Sequence, residues 1–564
     1  MGEPAPPPPT LGDDLCLEDV QRVVAGALAT CRPLLTAGER VMAERILALQ
    51  GPPGRLWARL AGRQGEVFRV DQLSYAGVPD PDGALDALIA LDLAHEGLPA
   101  SLRVLVFTVP ELKEICAALG LPRGGRRVEL VERVAAQPGW RRGRVFRVAC
   151  KGLLRRLERT WFRHPWRDRT AMILERLGQV RWVDYTPTGG GRPFRDRDEL
   201  RAFEASLAPW EGEPAEALAR MRAQRRRPPH LRSLDARRRW ARRVREGARA
   251  LERAGQAAEA LALYEALLAE GPYHPGEVVR RLSLAAEAAG VPARGVEVCA
   301  AWVTHVSPGA VPGVERTGRR LARKLGLPWR PQPPLKSPSS RTLSMTRVAG
   351  EANRPAWGPA GLTVEAAVVE HLRPRAAIHG ENATWTTFFG LLFGDLYWLP
   401  VPGMLPTPYL DGPMDLGTAD FAAHRPDEVR SRLEELREGG GPARLAENLA
   451  RFEGLRLAGV APSLADRDTL VAIAEGLGGP GLAAIMARLA VEGWSAARGL
   501  PDLVLPPGPA VELADAFPGR VGEGVLLVEV KGQGDSLRDE QRVWLDRLVR
   551  AGVPVEVWKV EART

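Results

Sequence analysis

Lysine is nearly absent from this sequence: 6 lysines stand beside 72 arginines in 564 residues. Cysteine is scarce too. Cys16, Cys31, Cys116, Cys150 and Cys299 lie far apart with no C-x-x-C pair, which excludes a disulfide framework and the common zinc modules. No uninterrupted apolar run approaches the roughly 20 residues that a membrane span needs, so no membrane partner is expected. The start, MGEPAPPPPTLGDD, lacks a basic stretch followed by an apolar one. No secretory leader is read there, and the expected compartment is the cytoplasm. At roughly 100–200 residues per domain the chain is long enough for several cores, which excludes a single small binding module.

What is present in excess is positive charge, and it is segregated. The formal net charge is +9, yet residues 123–169 hold 15 Lys and Arg against 4 Asp and Glu, and residues 220–249 hold 13 against 2. Those two stripes carry +22 between them, leaving −13 for the rest. Such stripes are the footprint of a protein that docks on phosphate backbones, and Trp140, Trp161, Phe162 and Trp166 are candidates for apolar or stacking contacts. A solvated arginine-rich face is the plainer alternative.

Along the chain, residues 1–36 read as a proline-rich lead-in, extended or disordered. Residues 37–235 mix helical apolar spacing (GERVMAERILAL, GALDALIALDLA) with a strand-like GEVFRVDQL, a winged-helix-like pattern. Within them, Phe107 to Val134 gives two short amphipathic helices flanking the turn GLPRGG, with Leu112, Cys116 and Leu119 on one side and Val128, Leu130 and Val131 on the other. This resembles a SAP-type DNA-binding motif, in which the turn and the second helix's start approach phosphates; Arg123, Arg126 and Arg127 sit there. Residues 236–330 are Ala- and Leu-rich helix pairs similar to tetratricopeptide repeats, residues 331–360 read as a linker, and residues 361–564 as a further domain.

The chemistry concentrates near the C-terminal end. GVLLVEVK (524–531) has the β-branched pattern of a buried strand, along which Glu529 and Lys531 share one face while Val528 and Val530 point to the other. Ser536 reads as a cap for the next helix, with Asp539 three residues on, and VPVEVWKV as a following strand. A Pro-Asp pair at Asp502 precedes Glu529 by 27 positions. Asp502 and Glu529 would offer hard oxygen ligands to Mg²⁺ or Mn²⁺, and Lys531 a compact charge that orients a water or a phosphate. In a chain that spells nearly every cation as arginine, a retained lysine beside two carboxylates carries weight. An ordinary strand with a Glu/Lys pair and a Pro-Asp turn is the bland alternative.

These motifs are the pattern of the PD-(D/E)xK nuclease superfamily. The segment 499–560, with P-D-L, E-V-K-G-x-x-D and then Gln541 and Trp544, resembles a VRR-NUC domain. The blocks EAAVVEHLRPRAAIHGENATWTTFFGLLFGDLYWLPVPG (365–403) and LDGPMDLGTADF (410–421) are similar to those of the Fanconi-associated nuclease family, and the likeness extends back through 181–204 and the SAP-like segment. The resemblance implies a multidomain α+β protein: helical N-terminal and middle regions followed by an α/β restriction-endonuclease-like nuclease domain. It implies a metal-dependent, structure-specific nuclease that cuts 5′ flaps, works as a 5′-to-3′ exonuclease and serves interstrand-crosslink repair. Glu381, Asp502 and Glu529 fall on the family's metal-ligand carboxylates, Lys531 on its catalytic lysine, and the carbonyl of Val530 could supply another ligand, for two Mg²⁺ or Mn²⁺ ions in all. Asp535 and Gln541 match further positions, and Gln533 stands where the family often has Pro. Branched or 5′-flapped DNA is the implied partner, bound by a monomer or homodimer. A junction resolvase, or a DNA scaffold whose nuclease fold has decayed, are the alternatives.

Overall fold

The computed structural model describes residues 14–137, 139–163, 167–189, 194–207, 234–271, 274–349, 355–358, 361–380 and 382–563. The chain divides into two units, one of residues 1–181 with 190–201, the other of residues 182–189 with 202–564.

The first unit opens earlier than the sequence suggests. Leu15–Cys31 is a helix whose Val20, Val23, Val24 and Ala27 are wholly buried, and it packs against the helices Gly51–Gly62 and Lys151–Phe162. The expected lead-in 1–36 is therefore cut short, because apolar residues at helical spacing from Leu17 onward find a core. Three short antiparallel strands form a sheet in which Val145–Val148 lies between Val67–Arg69 and Ala94–His95. The central strand thus follows the helix pair Val109–Ala118 and Arg127–Ala135 in sequence, so that pair is an insertion between the strands of a wing. Its core holds Phe107, Leu112, Ile115, Leu130, Val134 and Trp140.

This packing corrects the aromatic reading of the first charge stripe. Trp140 is 8% exposed and meets Phe107 edge-on at 5.3 Å; Trp161 and Phe162 are buried and packed edge-on at 4.6 Å. They are core residues, since burying such large apolar surfaces outweighs holding them out for a ligand. Trp166 lies outside the described residues.

In the second unit the helices Leu234–Arg253, Ala257–Ala269, Pro275–Ala288, Pro292–Trp302 and Val311–Lys324 pack each against the next. Gly255 and Gly290 follow two of these helices with φ of +74° and +80°, a left-handed turn that glycine alone adopts without strain. A five-stranded mixed sheet follows, in the order Leu503–Leu505, Leu526–Lys531, Val555–Ala562, Ser339–Met345 and Ala516–Phe517. Part of the expected linker 331–360 is thereby a strand of this sheet: Ser339–Met345 pairs in parallel with Val555–Ala562, its Leu343 and Met345 buried. The Pro- and Ser-rich flanks hid an alternation (Arg341, Leu343, Met345) that faces the core.

Each face of the sheet is covered. Leu527, Val555 and Val557 join a core with the helices Asn382–Phe393, Arg467–Glu492 and Asp539–Arg550, while Val528, Val530 and Trp558 join a second with Val364–His371. Arg467–Glu492 is two helical stretches joined across a break at Gly478 (φ +67°); its composition is apolar, and half of its most apolar stretch is buried, with Leu470, Ile473, Leu477, Ile485 and Leu489 in the core. Beside the sheet, Arg375 lies buried and donates to the carbonyls of Pro506, Pro509, Gly522 and Gly524, which ties together the two ends of the segment between Leu505 and Leu526.

Candidate active site

The site is built on strand register. Leu526, Leu527 and Val528 pair antiparallel with Leu505, Val504 and Leu503, so the next step brings Glu529 level with Asp502. The backbone N–H of Val530 donates to Asp502 Oδ2 at 2.9 Å, which fixes that carboxylate beside the strand. Ile378 exchanges two backbone hydrogen bonds with Val504 (2.8 and 3.0 Å), drawing the segment before Asn382 alongside the same edge. Glu381 lies outside the described residues.

Glu529 is 0% exposed, and its two oxygens differ. Lys531 Nζ lies 2.6 Å from Oε1, and Gln541 Nε2 donates to the same oxygen. Oε2 is buried and no donor reaches it; its carboxyl, when protonated, hydrogen-bonds the neighbouring Asp502 side chain. Gln541 does two things, because its Oε1 also accepts from the N–H of Arg538 at 2.8 Å and so caps the helix Asp539–Arg550. The cap is thus Arg538 with Gln541, and the expected cap at Ser536 is not used. Asp535 sits on an exposed turn, its N–H bonded to the carbonyl of Gly532. Trp544, one helical turn beyond Gln541, donates to the carbonyl of Ala496 at 2.6 Å beneath the Arg488 guanidinium, and holds the helix to the core.

Burial first, and then the charge of Asp502, push the Glu529 carboxyl up to about 8 against the pull of Lys531. Burial also raises Asp502, opposed by the Val530 N–H and by Lys531. Glu365, on the helix Val364–His371, adds to that rise; sequence reading missed it, since a glutamate on a separate helix has no spacing signal linking it to Asp502. A buried and a half-buried carboxylate, with an oxygen that no donor reaches, next to one lysine make a site short of positive charge. That chemistry fits a divalent cation, which would satisfy Oε2 and relieve the repulsion. Among the described residues no three His, Cys, Asp or Glu side chains converge as a ready cage.

A pH dependence follows. The folded protein keeps the Glu529 proton up to about 8 where a free glutamate loses it near 4.5, so the associated stability is complete below about 4.5 and lost as pH rises through about 8. Metal-free protein should melt lower at about pH 9 than at about pH 6, by the equivalent of roughly 1–3 kcal/mol, and Glu529→Gln should remove most of that difference. Thermal scans of both proteins in EDTA measure it; identical pH slopes would contradict the buried-pair account.

A groove of about 1120 Å³ is lined by Gln541 and by Arg238, Arg242, Arg245 and Arg249 of the helix Leu234–Arg253, with Glu246, Glu277 and Glu540 in the same wall. These arginines recur every three to four residues and share one helix face. They are four of the seven arginines of the second charge stripe that lie in described residues; residues 220–233 lie outside them. Arg498, Arg538 and His274 also line the groove and had no sequence signal. In the first unit Arg123, Arg126 and Arg127 are exposed at the predicted turn, although Arg127 also donates to the carbonyls of Leu105 (2.9 Å) and Phe107.

Family models match three stretches of the chain: a FAN1 HTH domain over residues 16–95, a SAP domain over 106–136 and a VRR-NUC domain over 438–562. A Fanconi-associated nuclease 1 homolog of Pseudomonas aeruginosa is 27% identical over 94% of this chain and 93% of its own length. The chain is thus similar to Fanconi-associated nuclease homologs over nearly its whole length and carries a VRR-NUC domain. The homolog of Arabidopsis thaliana is 34% identical over 32% of this chain and 20% of its own length, and Fanconi-associated nuclease 1 of Danio rerio 33% over 36% and 20%. The match thus spans about a fifth of the length of these longer relatives. Two crystal structures of paFAN1, bound to 5′-flap DNA with a gap, share the fold, with TM-scores of 0.78 and 0.77 at 23% and 24% identity, covering 99% and 98% of this chain and all of theirs. The Fanconi-associated nuclease HTH model begins at residue 16, in agreement with the early first helix. A VRR-NUC domain of the PD-(D/E)xK type implies dependence on a divalent metal.

Proposed function

We propose that this chain is a divalent-metal-dependent, structure-specific DNA nuclease that cuts beside 5′ flaps and degrades DNA 5′ to 3′, serving interstrand-crosslink repair in the cytoplasm as a monomer or homodimer. The observation that carries the reading is the buried Oε2 of Glu529, which no donor reaches, beside Asp502, with Lys531 and Gln541 fixing the other oxygen. Asp502, Glu529, the Val530 carbonyl and Glu381 are the proposed ligands of two Mg²⁺ or Mn²⁺ ions. When bound, such ions lower the pKa of a coordinated water and neutralise charge on the scissile phosphate. Lys531 supplies a point charge toward the attacking water or the phosphate, and Gln541 keeps the Glu529 carboxylate in one rotamer. The arginine-lined groove, which shares Gln541 with the site, is proposed to hold one strand's phosphates, and Arg123, Arg126 and Arg127 are proposed to grip duplex. Polarity of cutting is supported by the likeness to Fanconi-associated nuclease homologs and to paFAN1, whose structures hold 5′-flap DNA.

The test compares 5′-flap, 3′-flap, four-way-junction and blunt duplex substrates of equal sequence with Mg²⁺, Mn²⁺ or EDTA. We expect metal-dependent cutting that favours the 5′ flap by about tenfold or more, a free-energy preference of about 1.4 kcal/mol. Paired symmetric cuts in the four-way junction would support a resolvase instead, and binding without cutting in either metal a scaffold.

A further inference from the structure

The strand register carries the catalytic face of the sheet one step beyond Glu529 and Val557. There Lys531 is level with Lys559 on the neighbouring strand, Lys559 with Thr342 on the next, and Thr342 with Phe517 at the edge. Residues level across a sheet point to the same side. Their strand neighbours Val530, Trp558, Val560 and Leu343 lie in the core of the opposite face, which leaves these four on the face of Glu529. Lys531, Lys559, Thr342 and Phe517 thus form one row, about 14 Å long over three gaps of about 4.8 Å.

Two members of the row stand unused by the fold. Phe517 is 83% exposed, the most exposed large apolar side chain among the described residues. Its backbone is pinned all the same: the N–H of buried Leu513 donates to the carbonyl of Gly519 at 2.7 Å, and the Ser344 N–H to that of Asp515 at 2.8 Å. A Cβ on Gly519 would stand 2.8 Å from the Leu513 carbonyl oxygen, so this turn closes tightly only with glycine there. Lys559, one of only 6 lysines, is exposed and makes no ion pair among the described residues. The acids nearby stand off the row. Asp515 pairs with Arg563 at 2.5 Å, Glu512 lies 3.8 Å from Arg520, and Asp535 sits on the exposed turn beyond Lys531. Glu561 is exposed on the same face as Lys559, but one row further along the strand, level with Ser344. A polyanion is therefore favoured across the strands and disfavoured along them.

We propose that this row is a contact site for an unpaired stretch of the substrate strand next to the scissile phosphate, in which Lys559 holds the following phosphate and Phe517 stacks on a base a few nucleotides away. The proposal rests on the reading that Lys531 faces the scissile phosphate. About four stacked nucleotides at about 3.4 Å each span the row. Inside a duplex each base face is covered by its neighbours, so an exposed ring gains a stacking partner from an unpaired base, whatever its sequence. A lysine gives the phosphate a point charge that follows it without a fixed orientation.

The test uses the full chain and two DNAs of one sequence, a 5′ flap and a blunt duplex, in EDTA so that cutting plays no part. Binding is followed by fluorescence anisotropy across a salt series, with thermal melts to establish that each variant is folded. Lys559→Ala should weaken flap binding about threefold and make the log–log salt dependence shallower by about 0.7, the value for one contact to a single strand. Phe517→Leu should weaken flap binding about fivefold at an unchanged slope, and Phe517→Trp should restore it, while duplex binding moves less than about twofold throughout. A fluorescent base analogue stepped along the flapped strand should be quenched by the wild-type protein at one position and not by Phe517→Leu. An unchanged flap affinity in either Lys559→Ala or Phe517→Leu overturns the proposal, and so does an equal loss on flap and duplex. Self-association of the wild-type protein in ultracentrifugation, lost in Phe517→Leu, would assign the ring to a second copy of this chain and overturn it too. Cleavage by the wild-type protein with Mg²⁺ is scored separately; its absence would sink the nuclease reading and leave a flap-specific binding loss standing.

Discussion

Glu529→Gln and Asp502→Asn should each lower flap cleavage by about a thousandfold or more while changing flap affinity less than about twofold. Replacing even the partners that orient metal ligands typically costs 10–100-fold in affinity or activity, and these two carboxylates would touch the ion itself. Gln can still accept the hydrogen bonds that Gln541 and Lys531 give to Oε1, so the strand and the capped helix keep their places and only the charge is lost. Asn at 502 likewise keeps an oxygen for the Val530 N–H. DNA affinity should persist because it depends on arginines elsewhere on the chain. Cleavage rates on a labelled flap, beside anisotropy in EDTA, measure both quantities. Near wild-type cutting by either variant would remove the pair from the metal site.

The site was legible where its residues share one strand or its immediate partner. Alternation alone put Glu529 and Lys531 on one face of Leu526–Lys531, and the antiparallel register with Leu503–Leu505 explains why Asp502, 27 positions earlier, meets them. Gln541 could be placed near the site from its motif, but its double duty as cap and as donor to Glu529 depends on how the helix leaves the turn after Gly534. Residues brought in by tertiary packing left no local trace: Glu365 beside Asp502, Arg375 under the loop, and Arg498 and Arg538 in the groove. The aromatics of the first stripe mislead in the other direction. Charge patterning locates a basic face well, but whether a tryptophan within it faces solvent is decided by the core it can reach, and Phe107 and Phe162 supplied one. The strand Ser339–Met345 shows the same limit for fold, since its pairing partner Val555–Ala562 lies some 200 residues away. Short strands flanked by Pro and Ser read as connections until that partner is known.

Lys531→Arg should lower cleavage by about a hundredfold although the formal charge is kept. The Lys531 ammonium sits 2.6 Å from Glu529 Oε1 in a pocket where its side chain is 15% exposed. An arginine there must spread the charge over a planar fork and reach past the same carboxylate, and two parallel hydrogen bonds to Glu529 would draw the group away from the phosphate. The bidentate pair would also stabilise the metal-free site, so the variant is expected to need more Mg²⁺ for half-maximal cutting. Lys531→Met, which removes the charge, should be slower still on cleavage, because nothing then replaces the electrostatic stabilisation of the transition state. The discriminating measurement is single-turnover cleavage of a 5′ flap at saturating DNA across a Mg²⁺ series, with anisotropy to verify unaltered binding. A slow rate that persists at saturating Mg²⁺ places the lysine in the chemical step, whereas full recovery there assigns it to metal affinity alone. An arginine variant as fast as the wild type at every Mg²⁺ concentration would show that any cation serves, and that the one lysine kept beside two carboxylates is there by chance.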